Sequence, residues 1–234
     1  YRKLLASSTG TALVHVVDRI GSLNIFEGEF LLRDDDKPTR NHIFTECRDV
    51  VERIADIPEA VDTYHYYKLS CSALWVESAT PLQLIGVGSY FKQYFAHFVT
   101  DDMNLRPELD ADPRRSGGGI YRIIAAVAAD PLSSMVHAAL PSTDKAFEMI
   151  ELALASPAYP GEHFAGADVY TNRRTKAEIM HGAGRTAEAR ALLESAIAEI
   201  EERLADDDVA EEIRPETVAE INKMREVLEN LSQE

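Results

Sequence analysis

Helical periodicity is the feature that most limits what this chain can become. Segments alternating apolar and polar residues are almost absent, whereas apolar residues recur three and four positions apart along most of its length. Each such segment carries one apolar stripe, and stripes of this kind are buried by packing helix on helix. The expected fold class is therefore all-α.

The stripes and the prolines set the expected elements. Residues 2–20 carry Leu4, Leu5, Ala12, Val16 and Ile20, with a weak stretch at Ser7-Ser8-Thr9-Gly10. Residues 22–40 are the least legible, with Phe30, Leu31 and Leu32 suited to a short helix before the polar run from Arg33 to Lys37. Residues 40–56 place Ile43, Phe44, Cys47, Val50, Val51 and Ile54 on one face. Pro58 suits a first helical turn, opening a helix to about Ala79 with Tyr64, Tyr67, Cys71, Leu74 and Trp75 as its stripe. After Pro81 a third helix runs to about Val99, and residues 100–118 read as a loop. Helices are then expected at Ile120–Ala129, 143–155, 161–182, 186–204 and from Pro215 onward. Residues 1–40 form an unassigned N-terminal helical segment, and 41–234 the main body.

Internal repetition refines the class. Gly184 is followed five residues on by Ala189, with Leu193 four and Ala196 seven beyond that, and Ala177 lies seven before the glycine. These are the offsets of a tetratricopeptide hairpin. Small residues let two antiparallel helices approach, Leu193 fills the gap, and Gly184 takes a backbone shape costly for other residues. On this reading Gly184→Val and Ala189→Glu each over-fill a helix contact. A partial copy opens at Asp144-Lys145-Ala146, with Ile150 and Ala153 at the matching offsets. A third, at 46–79, keeps only the paired-helix shape. The copies are spaced 43 residues apart, Ala146 to Ala189, against the usual repeat of ~34. The expected architecture is an α-solenoid of degenerate tetratricopeptide-like hairpins.

The order of Tyr64-His65-Tyr66-Tyr67, Gly117-Gly118-Gly119-Ile120-Tyr121-Arg122, Asp144-Lys145-Ala146 and the Gly184 hairpin resembles the T component of tetratricopeptide-associated TRAP transporters. The resemblance spans roughly residues 45–205. It implies an extracytoplasmic helical protein that pairs with a substrate-binding protein and helps handle a small organic-acid or hydrophobic ligand. An asparagine common in that family's next helix is not evident around His163-Phe164, and residues 1–40 match no part of it.

Composition narrows the partners. With 24 basic and 40 acidic residues the net charge is −16, which repels nucleic acid and anionic lipid alike. No apolar run reaches the ~18–20 residues of a membrane span. Residues 199–234 hold 13 acids and 4 bases, a net of −9, and are expected to cap the solenoid with a polar face. The chain opens at Tyr1 rather than Met and shows no signal peptide, as expected of a mature or truncated form. The compartment is periplasmic if the resemblance holds and cytoplasmic otherwise. Cys47 and Cys71 both fall on helical stripes and read as small buried hydrophobes. Their alternative, a disulfide between adjacent helices, needs an oxidising compartment.

Three groups of residues are candidates for function. Tyr66, Tyr67, Tyr90, Phe91 and Tyr94 give two neighbouring helices more rings than one stripe needs, and could line a groove for an apolar ligand or partner helix. Gly117, Gly118 and Gly119 precede a helix, where backbone N–H groups and Arg122, with Arg114 and Arg115, could hold an anion. The glycine run lacks the Gly-Lys-Ser/Thr of a phosphate loop and the preceding strand of a dinucleotide site. The seven histidines, His15, His42, His65, His97, His137, His163 and His181, form no close ligand pair, so no metal or cofactor is expected. No Gly-x-Ser-x-Gly elbow occurs either. The expected function is non-enzymatic: a scaffold holding a partner protein or small apolar ligand in a helical-repeat groove. The alternative is an assembly protein that forms homo-oligomeric rings or filaments through its ends.

Overall fold

Leu13, Val17 and Ile20 recur at helical spacing and are buried together, so residues 10–26 lay one face onto the helices that follow. In the computed structural model, residues 2–32, 36–79, 91–130, 142–162, 164–205 and 214–232 are described. All regular elements among them are helical; the sole pairing of extended backbone is one antiparallel bridge, Val99 to Leu105. Among the described residues no helix is long and apolar enough to cross a membrane. The described residues form two compact units, dividing between Arg115 and Ser116.

The first unit begins with α1 (Arg2–Ser7) and α2 (Gly10–Phe26). A π-helical turn, Glu27–Leu31, prolongs α2 through the stretch whose sequence was least legible. The buried face of α2 is Leu13, Val17 and Ile20, one position from the expected Ala12 and Val16, which lie outside the buried set. After α2 come α3 (Lys37–Val51) and α4 (Val61–Ser78), each packed on the other and on α2. Asp36 caps α3 by accepting from the Thr39 N–H. Ile43, Phe44, Cys47, Val50, Val51 and Ile54 are all buried, as their spacing requires. Close approach relies on two glycines: a Cβ on Gly21 would sit 2.6 Å from the Tyr67 ring, and one on Gly28 would strike the Phe44 ring 2.5 Å away. The division expected at residue 40 therefore gives way to one near 115, because α2 buries its apolar face against α3 and α4. Of the helix expected at 81–99, residues 91–95 are helical and the rest of its start lies outside the described residues.

The second unit holds α5 (Arg115–Ala129, of which Arg115 closes the first unit), α6 (Thr143–Leu154), α7 (Tyr170–Gly182), α8 (Thr186–Ala205) and α9 (Arg214–Asn230). α6 packs on α7, α7 on α8, and α9 on both α7 and α8. Ala146, Met149, Ile150 and Ala153 form the buried face of α6. Ala177, Ala189, Leu193, Ala196, Ile197 and Ile200 are buried between α7, α8 and α9, with Ile221 and Met224 from α9. Gly184 closes the α7–α8 turn with φ +77°, a left-handed backbone that glycine adopts freely. A Cβ there would meet nothing within 4 Å. A larger residue at 184 is thus penalised by backbone conformation and not, as the spacing suggested, by an over-filled contact.

The helix expected at 161–182 is shorter than its pattern implied. Among the described residues of that stretch, a 3-10 turn, Gly166–Asp168, is the one helical element before α7. The Gly166 N–H donates to Ser156 O, which holds the intervening segment against the end of α6.

Candidate functional site

The rings singled out by sequence belong to the first unit. Helix α4 has buried residues on nearly every side, including Thr63, Lys68, Ser70 and Ser72, and its enclosed rings are Tyr66 and Tyr67, whereas Tyr64, Leu74 and Trp75 of the expected stripe are only half-buried. Tyr66 and Tyr67 are 6% and 5% exposed, and their rings meet edge to face at 4.9 Å. The Tyr67 hydroxyl shares a 2.7 Å hydrogen bond with Ser22 Oγ. Burial, helped by the Asp18 carboxylate, pushes the Tyr67 phenol well above its ordinary range. Phe91 is buried and stacks on Phe95, with centroids 5.5 Å apart. Tyr66, Tyr67 and Phe91 are therefore core residues, not groove lining. Tyr90 lies outside the described residues.

Tyr94 is half-buried, and its surroundings are polar. Its hydroxyl lies 3.3 Å from His65 Nδ1, and Asp110 Oδ1 lies 3.3 Å from His65 Nε2. Phe98 packs edge-on against both rings, at 5.6 Å from His65 and 5.2 Å from Tyr94. Burial is the main influence on His65 and lowers its pKa, with Asp110 opposing. With the proton on Nε2 the imidazole donates to Asp110 and accepts from Tyr94. Both ring nitrogens are then engaged. Two positions beyond Asp110, the Asp112 N–H donates to Asp62 Oδ1 at 2.6 Å. The chemistry of the group is thus to fasten the loop of residues 99–114 onto α4. His65 was one of seven scattered histidines in the sequence, and neither Tyr94 nor Asp110 is near it in the chain.

Cys47 and Cys71 are both fully buried, as their stripes required, but they are bonded: a disulfide joins α3 to α4 with Cα atoms 6.0 Å apart. The reading as two separate small hydrophobes is corrected by this bond.

The glycine run lies in the second unit and is differently employed. Ser116, Gly117 and Gly118 are all left-handed, with φ of 57°, 59° and 78°, and the right-handed helix begins at Gly119. A Cβ on Gly117 would collide with the Val169 side chain. One on Gly118 would come within 2.7 Å of Ala153 Cα and 2.8 Å of Ser156 Oγ. On Gly166 it would run into Ala153 O. Three stretches of backbone are therefore in direct contact: the start of α5, the end of α6 and the turn before α7.

Asn172, fully buried on the first turn of α7, ties them together. Its Nδ2 donates to Gly117 O and to Gly166 O, each at 2.8 Å, and its Oδ1 accepts from Arg122 Nη1 at 2.8 Å. All of its side-chain hydrogen-bonding atoms are in use. The Ser116 N–H donates to both carboxylate oxygens of Glu162, at 3.0 and 3.1 Å. The expected anion site at Gly117, Gly118, Gly119 and Arg122 is thus answered from within: Glu162 supplies the carboxylate, and Arg122 holds Asn172. Arg114 pairs with Asp112, and Arg115 with Asp18 at 2.5 Å, both within the first unit. Asn172 was missed by sequence reasoning, which sought an asparagine nearer 163–164. The only signal was a polar residue on the inner face of a helix otherwise lined by Thr175, Ala177, Ile179 and Met180.

Among the described residues no group of three or more histidines, cysteines or carboxylates is placed to hold a metal ion. The arrangement defines an all-α protein with helical hairpins in its second unit. No family model, no curated protein and no solved structure matches the chain.

Proposed function

We propose that this chain is a non-enzymatic binding protein of the helical-repeat class, similar in role to the T component of tetratricopeptide-associated TRAP transporters. It holds a protein partner, or a small organic-acid or apolar ligand, on a solenoid built from degenerate hairpins. The observation that carries this reading is the α7–α8 hairpin. Its small buried residues Ala177, Ala189 and Ala196, its filler Leu193 and its left-handed Gly184 support this reading, being the features a tetratricopeptide-like pair would require. Helix α9 then packs on that pair as a further hairpin would. The Cys47–Cys71 disulfide adds support, because such bonds persist in oxidising compartments, where an extracytoplasmic transport component works. Of the five rings proposed to line the groove, Tyr94 is the one among the described residues with a partly exposed surface.

The test is light scattering coupled to size exclusion, followed by native mass spectrometry of the same fractions. The expected result is a monomer carrying a small-molecule adduct, or one that binds a purified substrate-binding protein in titration calorimetry. A ligand-free closed ring would overturn the reading in favour of homo-oligomeric assembly through the ends of the chain.

A further inference from the structure

Cys47 and Cys71 lie at 0% exposure in one buried cluster with Leu13, Val17 and Ile20 of α2, and with Val51, Tyr66 and Tyr67. Helix α2 packs on both helices that the disulfide joins. Thiol–disulfide exchange requires a thiolate to reach a sulfur directly and to form a mixed disulfide. Both sulfurs are closed to solvent in the folded first unit, so a reagent reaches them only when part of this cluster opens, and α2 is the helix packed on both partners of the bond.

We propose that the Cys47–Cys71 bond is a staple sealed by α2: it forms while α2 is undocked and is afterwards reducible only when α2 opens. In formation, one cysteine thiolate attacks a sulfur of an external disulfide, either a small molecule such as oxidised glutathione or a protein carrier whose cysteine pair is in its disulfide form. One thiolate of that carrier departs. The second cysteine thiolate then attacks the mixed disulfide, closing the intramolecular S–S bond and releasing the carrier's other thiolate. Two electrons pass from the chain to the carrier, which leaves as two thiols, and the two cysteine protons pass to solvent or to those thiolates. The chain therefore completes its first unit where disulfide carriers are supplied, and later exposure to reductant is read through the motion of one helix. This inference goes beyond the binding role and stands without it.

The experiment uses the full chain, exported to an oxidising compartment and purified without reductant. Free thiols are counted by iodoacetamide labelling in denaturant, then reduction by dithiothreitol is timed under native conditions and in guanidinium. The expected results are no labelled cysteine before reduction, and native reduction at least about a hundredfold slower than in denaturant. Val17→Ala removes packing from the fully buried face of α2 and is expected to speed native reduction about tenfold. Two labelled cysteines before reduction would overturn the proposal. So would native reduction as fast as in denaturant, or an unchanged rate in Val17→Ala. Should that variant fail to fold, the wild-type rate is followed through low guanidinium concentrations. A rise ahead of global unfolding supports gating by α2, and a flat profile refutes it.

Discussion

Asn172→Asp is nearly isosteric, so its effect isolates hydrogen bonding from packing. It replaces the Nδ2 donor by an oxygen that faces Gly117 O and Gly166 O, each 2.8 Å from the original nitrogen. Two buried hydrogen bonds are lost at about 1 to 1.5 kcal/mol each, and two acceptors now confront a third in a site closed to water. Against this, the bond from Arg122 Nη1 becomes charge-assisted at both ends and returns about 1 kcal/mol. Repulsion among the three oxygens tips the balance, for a net loss of about 3 kcal/mol at pH 7. That is a large share of the 5 to 15 kcal/mol typical of a folded protein.

The sign of the pH effect follows from the same geometry. Ionised, the new carboxylate faces two carbonyl oxygens. Protonated, it donates to one of them. Burial and the two carbonyl oxygens raise its folded pKa above the unfolded value of about 3.9, outweighing the opposing pull of the Arg122 guanidinium. The stabilising protonated form is fully present below that unfolded value and is lost as pH rises through the folded one. The gap in stability between wild type and variant should be widest at pH 7.5 and narrower at pH 4.5. Urea denaturation followed by circular dichroism at both pH values measures it. A variant as stable as wild type at pH 7.5, or a gap that does not change with pH, would refute the role assigned to Asn172.

Other consequences are more local. Gly184→Val should cost about 1 to 2 kcal/mol through the left-handed backbone alone, and Gly184→Asn distinctly less, since nothing within 4 Å opposes a side chain there; equal losses would indicate a steric cause. Burial depresses the folded pKa of His65, so its contribution to stability is present above the unfolded value near 6.5 and is lost as pH falls through the folded one. Thermal melting of wild type and His65→Gln at pH 7.5 and 5.5 should show the weaker acid sensitivity in the variant, and parallel shifts would exclude His65 as the cause. Tyr66→Ala should cost about 3 to 5 kcal/mol in chemical denaturation, because it empties a buried site; a near-neutral result would place the ring outside the core.

How much the sequence disclosed depended on whether a pattern was local. The stripes of α3, α6 and α8 are each made by residues of one helix, and their buried faces fall where the spacing puts them. The Gly184 turn was legible for the same reason. By contrast, α4 is enclosed by several neighbours, so its buried residues need not form a stripe, and Tyr66 and Tyr67, offered as groove lining, are core. Residues 22–40 were the least legible, and two glycines, Gly21 just before that stretch and Gly28 within it, add no apolar side chain to a stripe. In the fold they are the points where α2 and its π-helical extension press against Tyr67 and Phe44. The helix expected from 161 starts later because the turn before α7 is tied to the end of α6, the Gly166 N–H donating to Ser156 O.

Both units solve one physical problem in the same way. Where a glycine lets backbone pack tightly, it also carries a carbonyl into a region that water cannot reach, and that acceptor must be satisfied by protein. In the first unit the buried Arg40 donates from Nε to Gly28 O at 2.9 Å, while Gly28 itself lies against Phe44. In the second, Asn172 donates to Gly117 O and Gly166 O. Each side chain comes from a helix later in the chain than the glycine run it serves. A sequence shows such a donor only as a polar residue on an apolar face, where it resembles an imperfection in the stripe. Arg40 and Asn172 are therefore better explained as the donors that make the close packing of glycine backbone affordable than as residues reserved for a ligand, and the search for a binding surface moves to partly exposed groups such as Tyr94.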